Sequence, residues 1–99
     1  MRKLGIIGGA SWSSTALYYD HINRGVSGRL GGLHSARLII ESFDFEDDYA
    51  SFHRREDWQG ANRVVVEAAT RLAGGGAEGL LLASNTMQSI PLLAIFGPL

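Results

Sequence analysis

Two short polar clusters carry most of the chemistry this chain offers. The first is Gly8-Gly9-Ala10-Ser11-Trp12-Ser13-Ser14-Thr15, directly after the apolar run Leu4-Gly5-Ile6-Ile7. Glycines after a strand allow a tight turn and a close backbone approach to a ligand. Free N–H groups and hydroxyls at the start of a helix suit an anion such as a carboxylate or phosphate. The plainer reading is a strand-to-helix turn with a serine cap. A dinucleotide site would need G-x-G-x-x-G, whereas the glycines here stand at 5, 8 and 9. No G-x-x-x-x-G-K-[ST] pattern occurs.

The second cluster is Ser84-Asn85-Thr86-Met87, which follows the apolar run at residues 79–83. Its amide and hydroxyls can hydrogen-bond the carboxylate and ammonium groups of an amino acid. The plainer reading is a polar turn. A third cluster is His53-Arg54-Arg55-Glu56-Asp57. Two adjacent arginines can grip a carboxylate bidentately, and the plainer reading is a solvated, charge-paired surface. His21, His34 and His53 lack metal-ligand spacing and read as surface or capping residues. Tyr18, Tyr19 and Trp58 read as core or interface residues rather than a stacking platform.

The elements that must position these clusters follow from hydrophobic period and glycine punctuation. Residues 4–7 read as a buried strand. Ser13, Ser14 and Thr15 offer cap hydroxyls for a helix over residues 15–29, ended by Gly31-Gly32. Residues 36–42 form a second strand. Residues 43–58, aromatic and charged without a clean period, read as a loop with room for a short helical turn. Asp57 caps a helix over residues 58–73 whose apolar stripe is Ala61, Val64, Val65, Ala68, Ala69 and Leu72. Gly74-Gly75-Gly76 ends it, and residues 79–83 form the third strand. Alternating strands and helices imply a parallel sheet covered by helices. In such sheets ligands sit beyond the carboxyl ends of the strands. Both polar clusters leave that edge.

Composition narrows the class. The 99 residues are 45% hydrophobic and 19% charged, with net charge −1. That suits one small α/β domain and gives no basic patch for nucleic acid. With no cysteine there is no disulfide and no thiolate metal site. Apolar runs fall short of the ~18 residues of a membrane span, and Gly8-Gly9 interrupts any signal-peptide core. A cytoplasmic location is expected.

The end of the chain breaks the pattern. Residues 91–96 (PLLAIF) look like a fourth apolar strand, yet only Met87–Ile90 separate them from Thr86. A parallel crossover with its helix needs ~10–12 residues. That run is therefore antiparallel, short, displaced, or no native strand. Apolar surface around Leu80–Leu82 and Leu92–Phe96 is expected to be partly exposed, favouring self-association.

Three stretches in order, GIIGGASWSSTALYYDHIN, RLGGLHSARLIIESFDF and AATRLAGGGAEGLLLASNTM, together resemble the aspartate/glutamate racemase family. The resemblance runs from Arg2 to Met87. It implies one half of a two-domain α/β protein: residues 1–87 as the N-terminal domain, 88–99 as an altered or truncated tail, and the second domain absent. The fold class it implies is a partial doubly wound parallel sheet of three to four strands with helices on both faces. The implied activity is amino-acid racemisation without PLP, metal or other cofactor, in which two cysteines on opposite faces move the α-proton. Ser84 stands in the place of the first cysteine, as the implied catalytic position. Asn85 and Thr86 match the substrate-binding pair, and Ser11 and Thr15 match polar residues of the first loop. Gln88 stands where a histidine is usual. The implied partner is a small amino acid, aspartate or glutamate, with neither nucleic acid nor membrane.

Two functional readings follow. One is a racemase chain that is inactive alone. The other is a non-catalytic small-molecule- or protein-binding α/β remnant. A nucleotide-binding module is disfavoured by the glycine spacing.

Overall fold

The computed structural model describes residues 1–83. Its centre is β1, Leu4–Gly8, the middle strand of a three-stranded parallel sheet. The strand β2, Leu38–Ser42, pairs on one side, with Leu4 opposite Leu38 and Gly8 opposite Ser42. On the other side β3, Gly79–Leu82, pairs with Leu4 opposite Gly79 and Ile7 opposite Leu82. A central parallel strand is covered on both faces, which is why two β-branched residues sit side by side in it. Ile6 and Ile7 point to opposite faces and are both 0% exposed.

Three helices accompany the sheet: α1 at Trp12–Leu30, α2 at Ser51–Arg54 and α3 at Trp58–Gly74. Helix α3 covers one face. Ala61, Val65, Ala68, Ala69 and Leu72 recur at helical spacing, and all are buried. They share a core with Ile7, Phe43, Tyr49, Ala77 and Leu82. Full burial of a side chain such as Val65 is worth about 1.5–3 kcal/mol. The close approach needs Gly5, because a β-carbon there would crowd Leu72, Ala77 and Leu80. Asp57 caps α3 by accepting from the Gly60 N–H at 2.9 Å. A turn through Gly75 and Gly76 then leads into β3, with the Ala77 N–H donating to the Leu72 carbonyl at 3.0 Å.

Helix α1 lies on the opposite face, since Gly8, one position out of phase with Gly5 and Ile7, abuts Thr15. Its hold on the sheet is slight, and Thr15 is its only fully buried residue. Farther along, the Asn23 side-chain oxygen Oδ1 accepts from the Ala36 N–H at 2.8 Å and ties the helix to the approach of β2. The sheet and helices are thus the expected α/β arrangement. Strand β2 starts at Leu38 rather than 36, and two larger departures stand out. Helix α1 starts at Trp12 rather than 15, because Ser11 and not a later hydroxyl is the cap. Residues 43–58 are mostly helical rather than a loop: a π-helical stretch, Glu46–Ala50, runs into α2. Phe45, Tyr49 and Phe52 give that segment an apolar face packed against the α3 core, behind a run of acidic residues that hides the period.

The expected bare patch at Leu80–Leu82 is only partial: Leu82 is buried, while Leu80 and Leu81 are half-buried. The more exposed apolar side chains lie on and after α1, among them Trp12, Leu17, Tyr19, Leu30 and Leu33. The expectation for residues 91–96 falls outside the described residues.

The turn between α2 and α3 holds Glu56 at φ 54, the left-handed region that disfavours side chains. Its side chain is exposed, so little offsets the strain. Glu56→Gly is expected to stabilise the chain by about 1 kcal/mol. That corresponds to a rise in Tm of roughly 4–8 °C for a domain of this size. Thermal unfolding followed by circular dichroism measures it, and an unchanged or lower Tm would show that the strain is offset elsewhere.

Candidate functional site

The carboxyl edge of the sheet gathers the exits of all three strands around Gly8. The Phe43 N–H, just past β2, donates to the Gly8 carbonyl at 3.0 Å. The Ala83 N–H, just past β3, donates to the Ile7 carbonyl, also at 3.0 Å. The chain therefore leaves β1, β2 and β3 within one small region. The segment that continues from Ala83 begins with Ser84, Asn85 and Thr86. These three candidate site residues lie outside the described residues.

The first loop is built backward from Thr15. The Gly9 N–H donates to Thr15 Oγ1 at 3.0 Å, in a buried setting. The same hydroxyl donates to the Ser11 carbonyl at 3.2 Å. Gly8 leaves room for the threonine, since a β-carbon at Gly8 would overlap Thr15. Gly9 has φ 93, and a β-carbon there would strike the Phe43 backbone. The paired glycines thus serve packing between strand exits. Both hydrogen-bonding roles of the Thr15 hydroxyl are spent within the chain.

Ser11 is placed differently. It is exposed and caps α1, its Oγ accepting from the Ser14 N–H at a long 3.5 Å and lying 3.1 Å from Ser13 Oγ. No acidic residue occupies the first turn of α1. The positive end of the helix dipole is therefore uncompensated there. An anion placed at this turn would meet a favourable field and exchangeable hydroxyl donors.

The arginine pair is occupied by other contacts. Arg54 grips both Glu46 oxygens, at 2.7 and 3.2 Å. This hydrogen-bonded ion pair holds the Glu46 carboxyl below its ordinary pKa and raises that of Arg54. Arg55 stacks over the Phe52 ring at 5.1 Å. His53 lies edge-on to Trp58 at 5.1 Å and 6.3 Å from Tyr49. Burial pushes the Tyr49 phenol above its ordinary pKa. The reading of this segment as a charge-paired surface thus fits its geometry.

The sequence did not single out Glu41, which reaches from β2 to Arg71 on α3. The pair borders a recess of about 290 Å³ also lined by Asp48 and Glu67. The one available signal was a charged residue inside an apolar strand run. Among the described residues no group of three or more His, Asp or Glu side chains is placed to hold a metal ion. No described helix is long and apolar enough to cross a membrane.

The profile of the Asp/Glu/Hydantoin racemases matches residues 7–94. The chain belongs to that family. Two solved structures resemble this racemase-family chain. A candidate Asp/Glu racemase from Yersinia pestis is 41% identical, with a TM-score of 0.91 over 98% of this chain and 43% of its own. An aspartate racemase homologue from Pyrococcus horikoshii OT3 is 36% identical, with a TM-score of 0.69 over 87% of this chain and 37% of its own. This chain thus spans less than half the length of either relative.

The Thr15 contacts carry a direct test. Thr15→Val keeps the shape but strands the buried Gly9 N–H, at an expected cost of about 1–3 kcal/mol. Thr15→Ser keeps the hydroxyl and should lose less. Urea unfolding at constant m separates them. Matching midpoints for wild type and the valine variant would show that the hydroxyl does not hold the loop.

Proposed function

We propose that this chain supplies one side of a cofactor-independent amino-acid racemase site, with aspartate or glutamate as the substrate class. Family membership carries the reading, supported by the convergence of the strand exits at one sheet edge. Ser11 at the start of α1 contacts the substrate carboxylate. Asn85 and Thr86 hold its polar groups, and Ser84 stands at the proton-transfer position. Thr15 supports Ser11 from behind.

Inverting a stereocentre requires a base on one face of the α-carbon and an acid on the other. A thiol with pKa ~8.5 serves in either role once its surroundings tune it. A serine hydroxyl is a far weaker acid, so Ser84 lowers the chemical competence of this side. This reading places one of the two opposed groups, at Ser84, on these residues. The reading therefore assigns the chain binding without turnover. That also leaves room for the second reading, a binding remnant, which Ser84 in place of cysteine favours.

Titration with aspartate or glutamate, followed by backbone amide shifts, tests the binding half. Shifts are expected at Ser11 and at Ser84, Asn85 and Thr86. Shifts confined to residues 45–60 would move the site to the arginine segment. The chemical half is tested by deuterium exchange at the substrate α-carbon. Neither these 99 residues nor their Ser84→Cys variant are expected to exchange, because this reading places only one of the two opposed groups on them. Exchange with inversion by either would overturn this assignment.

A further inference from the structure

Tyr49 is 2% exposed and shares the buried core with Ile7, Phe43, Val65 and Leu82. Its ring lies 5.4 Å from that of Phe45 and 6.3 Å from that of His53. Its hydroxyl has no hydrogen-bond partner among the described residues. A phenylalanine would fill the same space without an unmet donor. Yet among the described residues no fully enclosed side-chain oxygen or nitrogen lacks a partner. The phenol oxygen therefore keeps a narrow opening to solvent, while the ring that carries it is sealed in.

The chain connection places that opening. Strand β2 ends at Ser42 and α3 begins at Trp58, so the segment between them spans the carboxyl edge of the sheet. The Phe43 N–H holds one end of it to the exit of β1 through the Gly8 carbonyl. The Asp57 N–H, donating to the Phe52 carbonyl at 2.9 Å, holds the other end at the start of α3. Within the π-helical stretch Glu46, Asp47 and Asp48 are exposed, whereas Tyr49 is buried. The Tyr49 ring thus runs inward from this cap, and its hydroxyl is the innermost atom. An opening at the inner end lies on the side of the strand exits, not on the outer surface of the cap. Short π-helical stretches recur at functional sites.

We infer that the Tyr49 hydroxyl is a substrate-binding donor that takes the second carboxylate of an acidic amino acid and so selects aspartate or glutamate over neutral amino acids. The inference rests on the racemase-site reading and deepens it. In that reading Ser11 contacts a carboxylate from the start of α1, and an acidic amino acid carries two. A phenol donates a single hydrogen bond, and a carboxylate is the strongest acceptor an amino acid offers it. Burial raises the phenol pKa, so the group stays protonated and a donor through the neutral range. Arg54, the other candidate for a carboxylate, is already held by both oxygens of Glu46. Alanine brings no second carboxylate and leaves the buried donor unmet, which is how a polar site rejects an analogue lacking the matching group.

Tyr49→Phe keeps the ring and removes the donor. Its thermal unfolding should match or exceed that of the wild type, since no hydrogen bond within the described chain is lost. In titrations followed by amide shifts, the wild type should bind aspartate or glutamate about tenfold more tightly than alanine. The variant should lose most of that preference and keep its affinity for alanine. The wild type alone gives a second readout: shifts at Tyr49 and Ala50 should accompany those at Ser11 with the acidic ligands and be absent with alanine. A variant that binds the acids as the wild type does overturns this inference and leaves the racemase-site reading standing. Equal losses for the acids and alanine would show a packing role and overturn it too. A wild type that binds no amino acid overturns both.

Discussion

The hydroxyl of Thr15 is the contact on which the working edge of this molecule depends. It receives the Gly9 N–H and gives its proton to the Ser11 carbonyl, so one atom closes the turn from β1 into α1. With the Tyr49 phenol, it is one of two hydroxyls among the buried residues described. A buried hydroxyl is tolerated when its bonding capacity is used, and here both directions are used. The two glycines before it make the contact possible. Gly8 yields space to the threonine, and Gly9 lets the Phe43 backbone pass close by. The exits of β1 and β2 are thereby locked together, and Ser11 is left at the helix start with its hydroxyl only weakly engaged. The loop has the form that an anion site needs, but packing imposes that form.

The two sides of the sheet are finished to different degrees. Helix α3 sets small residues, Ala61, Ala68 and Ala69, beside Val65 and Leu72, so its axis comes close to the strands and excludes water. On the α1 side, 51% of Tyr19 stays exposed. Ile40, on the same side of β2, is 37% exposed. One face therefore carries most of the folding free energy, while the other holds through Thr15 and Asn23. The less finished face keeps apolar side chains, Leu17 and Tyr19 among them, exposed on α1.

Much of this was legible in the residues. Glycine punctuation and apolar periods located the sheet and both long helices, and Asp57 announced its cap. Each of those signals is local, a turn residue or a period of two or 3.6 read in one window. What escaped was non-local. The helical character of residues 46–54 depends on Tyr49 and Phe52 reaching the α3 core, and three acidic residues in a row concealed it. The Glu41–Arg71 pair joins positions thirty residues apart, a distance no window spans. The role of Thr15 was half legible: its place in the motif was clear, but its inward direction depends on Gly8 having no side chain. Ser84, Asn85 and Thr86 are known here through sequence alone.

The geometry also bears on why one sheet edge suits binding more than a two-sided reaction. A parallel sheet delivers every strand exit to the same edge, so the groups it positions approach a ligand from one side. That suits gripping a carboxylate, where several donors converge on neighbouring oxygens. Racemisation asks for something a single edge does not supply. The proton must leave one face of a planar carbanion and return to the other, so the two transferring groups stand on opposite sides of the ligand. A second edge has to face the first across the substrate. One parallel-sheet edge reaches a ligand from one side whatever side chains it carries.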